Sequence, residues 1–231
     1  MSIRCVSSQQ LEAIKDTIVG SDPFPAIEFF YCNNLNEAKE VILTPGGGMT
    51  PTQRWEVETK WLTDRISFSS EKSLVIDYGC GIGRMAKEIS NPVLGVDVSV
   101  TMRHHADQYV NDASFGSVGP TMFKDLVDHG LKADGVVAIW SFQHIININE
   151  TIDTLMKALN PDGILWLLDT NKRYLPVVLG TIGEDKVVAP LGDDGIKIYP
   201  LIEKWCNLEN IEILSIYAPE WTGELRKYRR L

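Results

Sequence analysis

The run Val75-Ile76-Asp77-Tyr78-Gly79-Cys80-Gly81-Ile82-Gly83-Arg84 constrains the fold more than any other part of the chain, because an apolar stretch breaks there into three alternating glycines. Glycine accepts positive φ and carries no Cβ, so this spacing lets the backbone turn tightly and come close to a ligand. Asp97 stands 20 residues beyond Asp77, at the end of a second apolar run, Val93–Asp97. An acid at the end of the next strand can accept hydrogen bonds from both hydroxyls of a ribose. A strand, a glycine turn, a helix and a second strand with a terminal acid form a unit of a parallel sheet that holds a nucleoside across its strand ends.

The residues that follow repeat the alternation. Ser73–Asp77 reads as a strand, 84–90 as a helical segment, Val93–Asp97 as a strand and Val100–Val110 as a helix. Ala133–Ile139 is a further strand, and Ile148, Ile152, Leu155, Met156 and Leu159 share one helical face. Asn160-Pro161-Asp162-Gly163 predicts a turn before the strand Ile164–Asp169. Strands that are continuously apolar and separated by helices imply a sheet covered on both faces. A helix over Tyr199–Leu208, a strand over Ile211–Tyr217 and a terminal segment Glu224–Leu231 complete the expectation.

Two regions lie outside that pattern. Residues 1–70 form an N-terminal helical extension or cap to a ligand-binding domain spanning 71–231. Gly46-Gly47-Gly48 precedes Thr50-Pro51-Thr52-Gln53 there, which predicts a helix start with Thr50 as N-cap, Pro51 in the first turn and Gln53 reaching back. The helix it opens should bury Trp55, Leu62 and Ile66. The second region, 171–197, holds Pro176, Gly180, Gly183, Pro190, Gly192 and Gly195 and reads as a lid insertion.

The formal charge of −9 and the pI near 5.0 exclude a polyanion binder that relies on its overall field. No apolar run approaches the roughly 20 residues that span a bilayer, and the first residues lack a secretory signal. Cys5, Cys32, Cys80 and Cys206 are scattered without paired spacing, so neither a zinc site nor a disulfide framework is expected. A reduced, cytoplasmic setting follows, with no metal. His104-His105 reads as a solvated helix face, since adjacent helical residues point apart.

Spacing and charge narrow the nucleoside. A dinucleotide fingerprint, G-x-G-x-x-G/A, would end on Arg84, which is too large for close helix–strand packing. Asp77, two residues before the first glycine, would repel a pyrophosphate and suits an ammonium or sulfonium group. Together they favour S-adenosylmethionine (SAM) over NAD or FAD.

Asp77-Tyr78-Gly79-Cys80-Gly81-Ile82-Gly83, followed by Gly95-Val96-Asp97-Val98, resembles the class I SAM-dependent methyltransferases. Three further segments fall in that family's order: Lys124-Asp125-Leu126, the run from Ala133 to Ile145, and Leu159-Asn160-Pro161-Asp162-Gly163. The resemblance implies a Rossmann-like three-layer α/β sandwich with a seven-stranded, mostly parallel sheet. It implies cofactor contacts from Asp77, Tyr78, Gly79, Cys80, Gly81, Gly83, Asp97 and Val98, with Asp125 at the adenine amino group and the Leu126 N–H at the ring. Trp140, at the end of the fourth family strand, could present its face to the sulfonium. The family would also make the C-terminal segment an inserted antiparallel strand, although Glu224–Leu231 is very charged for a buried one. Cys80 reads as a small residue filling the turn.

His144 follows the fourth family strand, where the methyl group would be presented; it is a candidate general base or a structural, substrate-orienting residue. Trp140-Ser141-Phe142-Gln143 lacks the prolines of amino-methylating DNA enzymes, and no cysteine follows a proline as in cytosine-C5 enzymes. A small-molecule acceptor is therefore expected, with S-adenosylhomocysteine (SAH) as product. The alternatives are an RNA or protein methyltransferase docking through 226–230, and a non-catalytic SAM-fold partner subunit. The oligomeric state stays open.

Overall fold

The structure is a computed structural model that describes residues 3–5, 32–42, 48–68, 72–171, 173, 175–182, 185–192, 195–214 and 223–231. In chain order the elements are β1 (Ile3–Cys5), α1 (Leu35–Ile42), α2 (Pro51–Thr63), β2 (Val75–Tyr78), β3 (Val93–Val96), α3 (Val100–Val110), β4 (Phe115–Val118) and α4 (Pro120–Asp128). They continue with β5 (Ala133–Ile139), α5 (Ile148–Ala158), β6 (Leu159–Asp169), β7 (Leu175–Ile182), β8 (Asp185–Gly192), α6 (Ile198–Ile202), β9 (Cys206–Leu214) and β10 (Gly223–Arg230).

The main sheet has seven strands in the order β4-β3-β2-β5-β6-β10-β9. From β4 to β6 every pairing is parallel, and β10 is inserted antiparallel between β6 and β9. The chain runs outward from β2 to β4 and then returns to place β5 on the other side of β2. The carboxyl ends of β2 and β5 therefore flank the point where strand order reverses, and a ligand crevice opens at such a point.

Alternate residues of the central strands feed two cores. Ile76, Val136, Ala138, Leu165 and Leu167 pack with Phe123, Ile152 and Leu155 on one face. Val75, Val137, Ile164, Trp166 and Leu168 pack with Leu62 and Ile66 on the other. Both faces are dry, which accounts for the unbroken apolar runs and makes the fold three-layered.

The start of α2 follows the predicted capping box. Thr50 Oγ1 accepts from the Gln53 N–H at 3.2 Å, while Gln53 Oε1 accepts from the Thr50 N–H at 3.0 Å. Trp55, Leu62 and Ile66 are buried as expected. Of the predicted N-terminal extension, residues 1–2, 6–31, 43–47 and 69–70 lie outside the described residues, as do 215–217 of the predicted strand Ile211–Tyr217.

Several elements differ from the sequence reading. Residues 81–88 form consecutive turns in place of a helix, because Gly81 and Gly83 take positive φ (52° and 77°). Asn160–Gly163 bulges within the span of β6, with the register shifting between Ala133 and Gly135 on the neighbouring strand. Asp162, not Gly163, adopts the left-handed conformation there (φ 61°). Gly163 is glycine because a Cβ would lie 2.8 Å from Asn160 O. The predicted lid is a β-hairpin, β7–β8, extended by β1 into a separate three-stranded sheet. The helix expected over Tyr199–Leu208 is the short α6, and β9 starts at Cys206.

Candidate active site

The glycine loop is built by exclusion. Gly79 has φ +76°, and a Cβ on it would fall 2.3 Å from Ser141 Cβ. Its lack of a side chain lets the loop press on the turn after β5, where the Ser141 hydroxyl donates to Tyr78 O at 2.9 Å. A Cβ on Gly83 would fall 2.5 Å from Val110 Cγ2, so the third glycine admits α3. Cys80 fills the space beside Gly95, whose hypothetical Cβ would be 2.9 Å from Cys80 Sγ. Burial, reinforced by Asp97 and Asp77, pushes the Cys80 thiol well up, so it is an inert filler.

Asp97 faces this loop. Its Oδ2 accepts from the Gly81 N–H at 2.8 Å and its Oδ1 from the Ser99 N–H at 2.8 Å. The Arg103 guanidinium donates to the Asp97 backbone carbonyl. Burial raises the Asp97 pKa, opposed by those two N–H groups and by Arg103. Each carboxylate oxygen carries two acceptor positions, so these two bonds leave capacity for the hydroxyls of a ribose.

A buried charged cluster adjoins the loop on its other side. Asp77, Arg84, Glu58 and Arg54 are 3%, 5%, 0% and 8% exposed. Arg84 Nη2 donates to Glu58 Oε1 at 2.8 Å, and Arg54 Nε lies 3.8 Å from Glu58 Oε2. Asp77 is pushed up to about 7 by burial, with Arg84 the leading influence in the opposite direction. Asp77 Oδ2 and Arg84 Nη1 are buried with no hydrogen-bond partner among the described residues. Orphaned buried polar atoms in a native site ask for a ligand or water.

The turn after β5 completes the crevice. Trp140 sits at the strand's end with φ +56°, and its indole N–H donates to Glu58 Oε1 at 2.9 Å. Its ring lies where a Cβ on Gly223 would come within 2.2 Å of Cη2. Residues Phe142–His144 form a 3-10 turn. Asp169, fully buried at the end of β6, accepts from the Gln143 N–H at 3.1 Å and the Thr170 N–H at 2.8 Å, and also from the Phe142 N–H. Burial pushes Asp169 up to about 7 against these bonds. Arg173, also fully buried, donates to the carbonyls of Ile145 and Ile146. His144 is thus presented by a turn held from β6 and from the segment beyond it.

Residues 76–165 match the family described as "Methyltransferase domain". The chain is 25% identical to the mitochondrial ubiquinone biosynthesis O-methyltransferase of Dictyostelium discoideum, over 84% of this chain and 72% of that protein. Its fold matches the PH0226 protein of Pyrococcus horikoshii OT3 (TM-score 0.58, 17% identity, 80% of this chain and 93% of that one). It also matches the N-methyltransferase NodS of Bradyrhizobium japonicum WM9 in complex with SAH (TM-score 0.57, 14% identity, 84% and 97%). Residues 76–165 carry a methyltransferase domain, and the fold is that of the class I SAM-dependent methyltransferases.

SAM fits this methyltransferase's residues on their own geometry. Asp97 has open acceptor positions, a side chain on Gly79 would collide with the neighbouring turn, and the two orphans have opposite charge. Not every predicted contact residue falls in the crevice. The Tyr78 ring packs edge-on to Phe123 and Phe142, at 5.9 and 6.1 Å between centroids, so only its backbone faces the loop. Asp125 is a correction: it lies exposed inside α4, not at the end of a strand, because the third family strand is β4, ending at Val118. Leu126 sits on the same helix, and Val98 lies in the turn after β3. His104 is exposed as expected, whereas His105 is half-buried with its Nε2 3.3 Å from Cys32 O, and among the described residues no His, Cys, Asp and Glu cluster could hold a metal. Arg84, Glu58 and Asp169 were absent from the sequence-based site. Arg84 counted there only as a bulky residue, although a buried arginine directly after three glycines is itself a charge signal.

Proposed function

We propose that the methyltransferase acts on an O, N or C nucleophile of a small-molecule acceptor, and that His144 takes up a proton the nucleophile releases. The observation that carries the choice of acceptor is the state of the basic run on β10. Arg226 pairs with Glu203 (3.1 Å) and Glu224 (2.6 Å), Lys227 pairs with Glu209 (3.0 Å), and Arg229 also pairs with Glu209. Arg226 stacks 3.6 Å over the Tyr199 ring, and Arg230 stacks over Trp205. A strip already neutralised by its own neighbours has little charge to offer phosphates. The Dictyostelium relative, named for ubiquinone biosynthesis, and NodS, an N-methyltransferase, are in keeping with a small acceptor.

The cofactor supplies an electrophilic methyl group on a sulfonium. The chain's residues bind and align. Asp97 holds the ribose, Asp77 takes the ammonium, and the free Arg84 Nη1 takes the carboxylate of the amino-acid head. Holding both reactants in line supplies much of the rate, since transfer disperses charge instead of creating it. The Asp169 and Arg173 bonds fix the turn that carries His144 at the crevice. Cys32, Cys80 and Cys206 are buried, and none of these three is in a disulfide. Among the described residues no helix is long and apolar enough to cross a membrane.

The test is SAH release from SAM on addition of three pools: small metabolites, total RNA, and protein. Release with the metabolite pool alone supports the proposal. Release only with RNA, together with RNA binding that falls steeply with salt, or only with protein, overturns it.

A further inference from the structure

Glu58 comes from α2, well before the glycine loop in sequence, yet it is fully buried beside it. One oxygen, Oε1, accepts from both Arg84 Nη2 (2.8 Å) and Trp140 Nε1 (2.9 Å). A buried ion pair is a poor device for stability alone, since apolar residues of similar volume commonly serve a core as well. Arg84 and Asp77 are opposite charges at one loop, close enough that only burial affects the Asp77 pKa more than Arg84 does. In a site of low dielectric such groups would ordinarily close into a hydrogen-bonded pair. Here they have not: Asp77 Oδ2 and Arg84 Nη1 both lack partners among the described residues, while Arg84 Nη2 is turned to Glu58.

We propose that Glu58 is a positioning residue of the pocket for the cofactor's amino-acid head. By taking Arg84 Nη2 it holds the guanidinium off Asp77. One acidic and one basic group then stay apart, each with an open hydrogen-bonding position, for a head that carries an ammonium and a carboxylate. The same oxygen pins the Trp140 indole, so α2 fixes both the glycine-loop side and the β5 side of the crevice. This inference rests on the reading of the loop as the SAM site, and it adds a residue that makes no contact with SAM itself.

The test compares SAH with 5′-methylthioadenosine, which has the same nucleoside and thioether but no amino-acid head. Both are titrated by calorimetry into wild type and Glu58→Gln. SAH is expected to bind the variant about tenfold or more weakly, the scale of one charge-assisted hydrogen bond, while methylthioadenosine binds both proteins equally. The pH profile is the second readout. The groups facing Asp77 are Arg84, Asp97 and Cys80, with the Ala86 N–H. SAH affinity of the wild type should rise with pH through about 7 as Asp77 ionises. In Glu58→Gln the guanidinium closes on Asp77 and moves that rise to lower pH. Trp140→Phe, which leaves the Arg84–Glu58 pair in place, should keep the wild-type midpoint. Equal weakening of both ligands, or an unmoved midpoint in Glu58→Gln, overturns the role of Glu58. Wild type that binds neither ligand overturns the loop reading instead. Should Glu58→Gln fail to fold, Glu58→Asp keeps the charge but withdraws it by a methylene. It must then show the same selective loss at smaller amplitude, and a non-selective loss overturns the proposal.

Discussion

Single carboxylates carry the proposed cofactor site of this enzyme, and two residues separate binding from chemistry in that proposal. Asp97 bonds the Gly81 and Ser99 N–H groups, so it shapes the loop as well as offering the acceptor positions proposed for the ribose. Asp97→Ala should abolish measurable SAM binding while far-UV circular dichroism stays that of the wild type, because the loop's turns are set by Gly79 and Gly83 against Ser141 and Val110. Undiminished affinity by calorimetry would remove Asp97 from the site. His144 lies apart from these contacts, on the 3-10 turn held by Asp169. His144→Ala should lower kcat at least tenfold, the low end of general-base effects or below, and leave the dissociation constant of SAH within about twofold, a shift under 0.5 kcal/mol. Unchanged turnover would assign His144 to structure alone. The place of Asp97 beside the glycine loop was legible because it is fixed by one offset along the chain. The Glu58–Arg84–Trp140 contact was not, because it joins three elements that only the folded sheet brings together.

Elements were readable in proportion to how locally they are determined. The capping box of α2 was visible in four adjacent residues, and both of its reciprocal bonds formed. Thr50→Ala removes one of them and should cost about 1 kcal/mol, read as a lower denaturation midpoint with an unchanged slope; no shift would mean that α2 is held by tertiary contacts alone. Because α2 delivers Glu58 to the site, the same variant should weaken SAH more than methylthioadenosine. By contrast, β4 was hidden: it is an edge strand with partly exposed residues, so Gly116 and Ser117 dilute its apolar signal. That uncertainty is what let Asp125 be read as an adenine contact. β10 looked too charged for an inserted strand, yet its cations meet Glu203, Glu209 and Glu224 and stack on Tyr199 and Trp205. Composition counts charges but cannot see their partners. The β7–β8 hairpin was read as a glycine-rich lid, since its glycines and prolines mask the strand pattern while sitting at register irregularities.

At the scale of the whole molecule, the crevice stores buried carboxylates that oppose folding at high pH. Asp77, next to last in β2, and Asp169, the last residue of β6, lie on the same edge of the sheet, and both are pushed from an ordinary 3.8 up to about 7 by burial. The folded state therefore holds these protons more tightly than the unfolded chain does. Between about pH 4 and pH 7 the native protein binds more protons, so stability falls as pH rises through that window and the loss is complete above it. Asp97 is shifted in the same direction. At 1.36 kcal/mol per pKa unit, the effect is on the order of a few kcal/mol for each of the two carboxylates. The apparent Tm should accordingly decline from pH 5 to pH 8. Asp77→Asn removes one charge that must be desolvated, so its Tm should exceed that of the wild type at pH 8 and converge on it at about pH 4. The same substitution deletes the carboxylate proposed to take the ammonium, so SAH should bind it weakly at every pH. A melting difference between variant and wild type that is independent of pH would show that Asp77 ionises as freely in the folded protein as in the unfolded chain, and the poise of the pocket would then have to come from Arg84 alone.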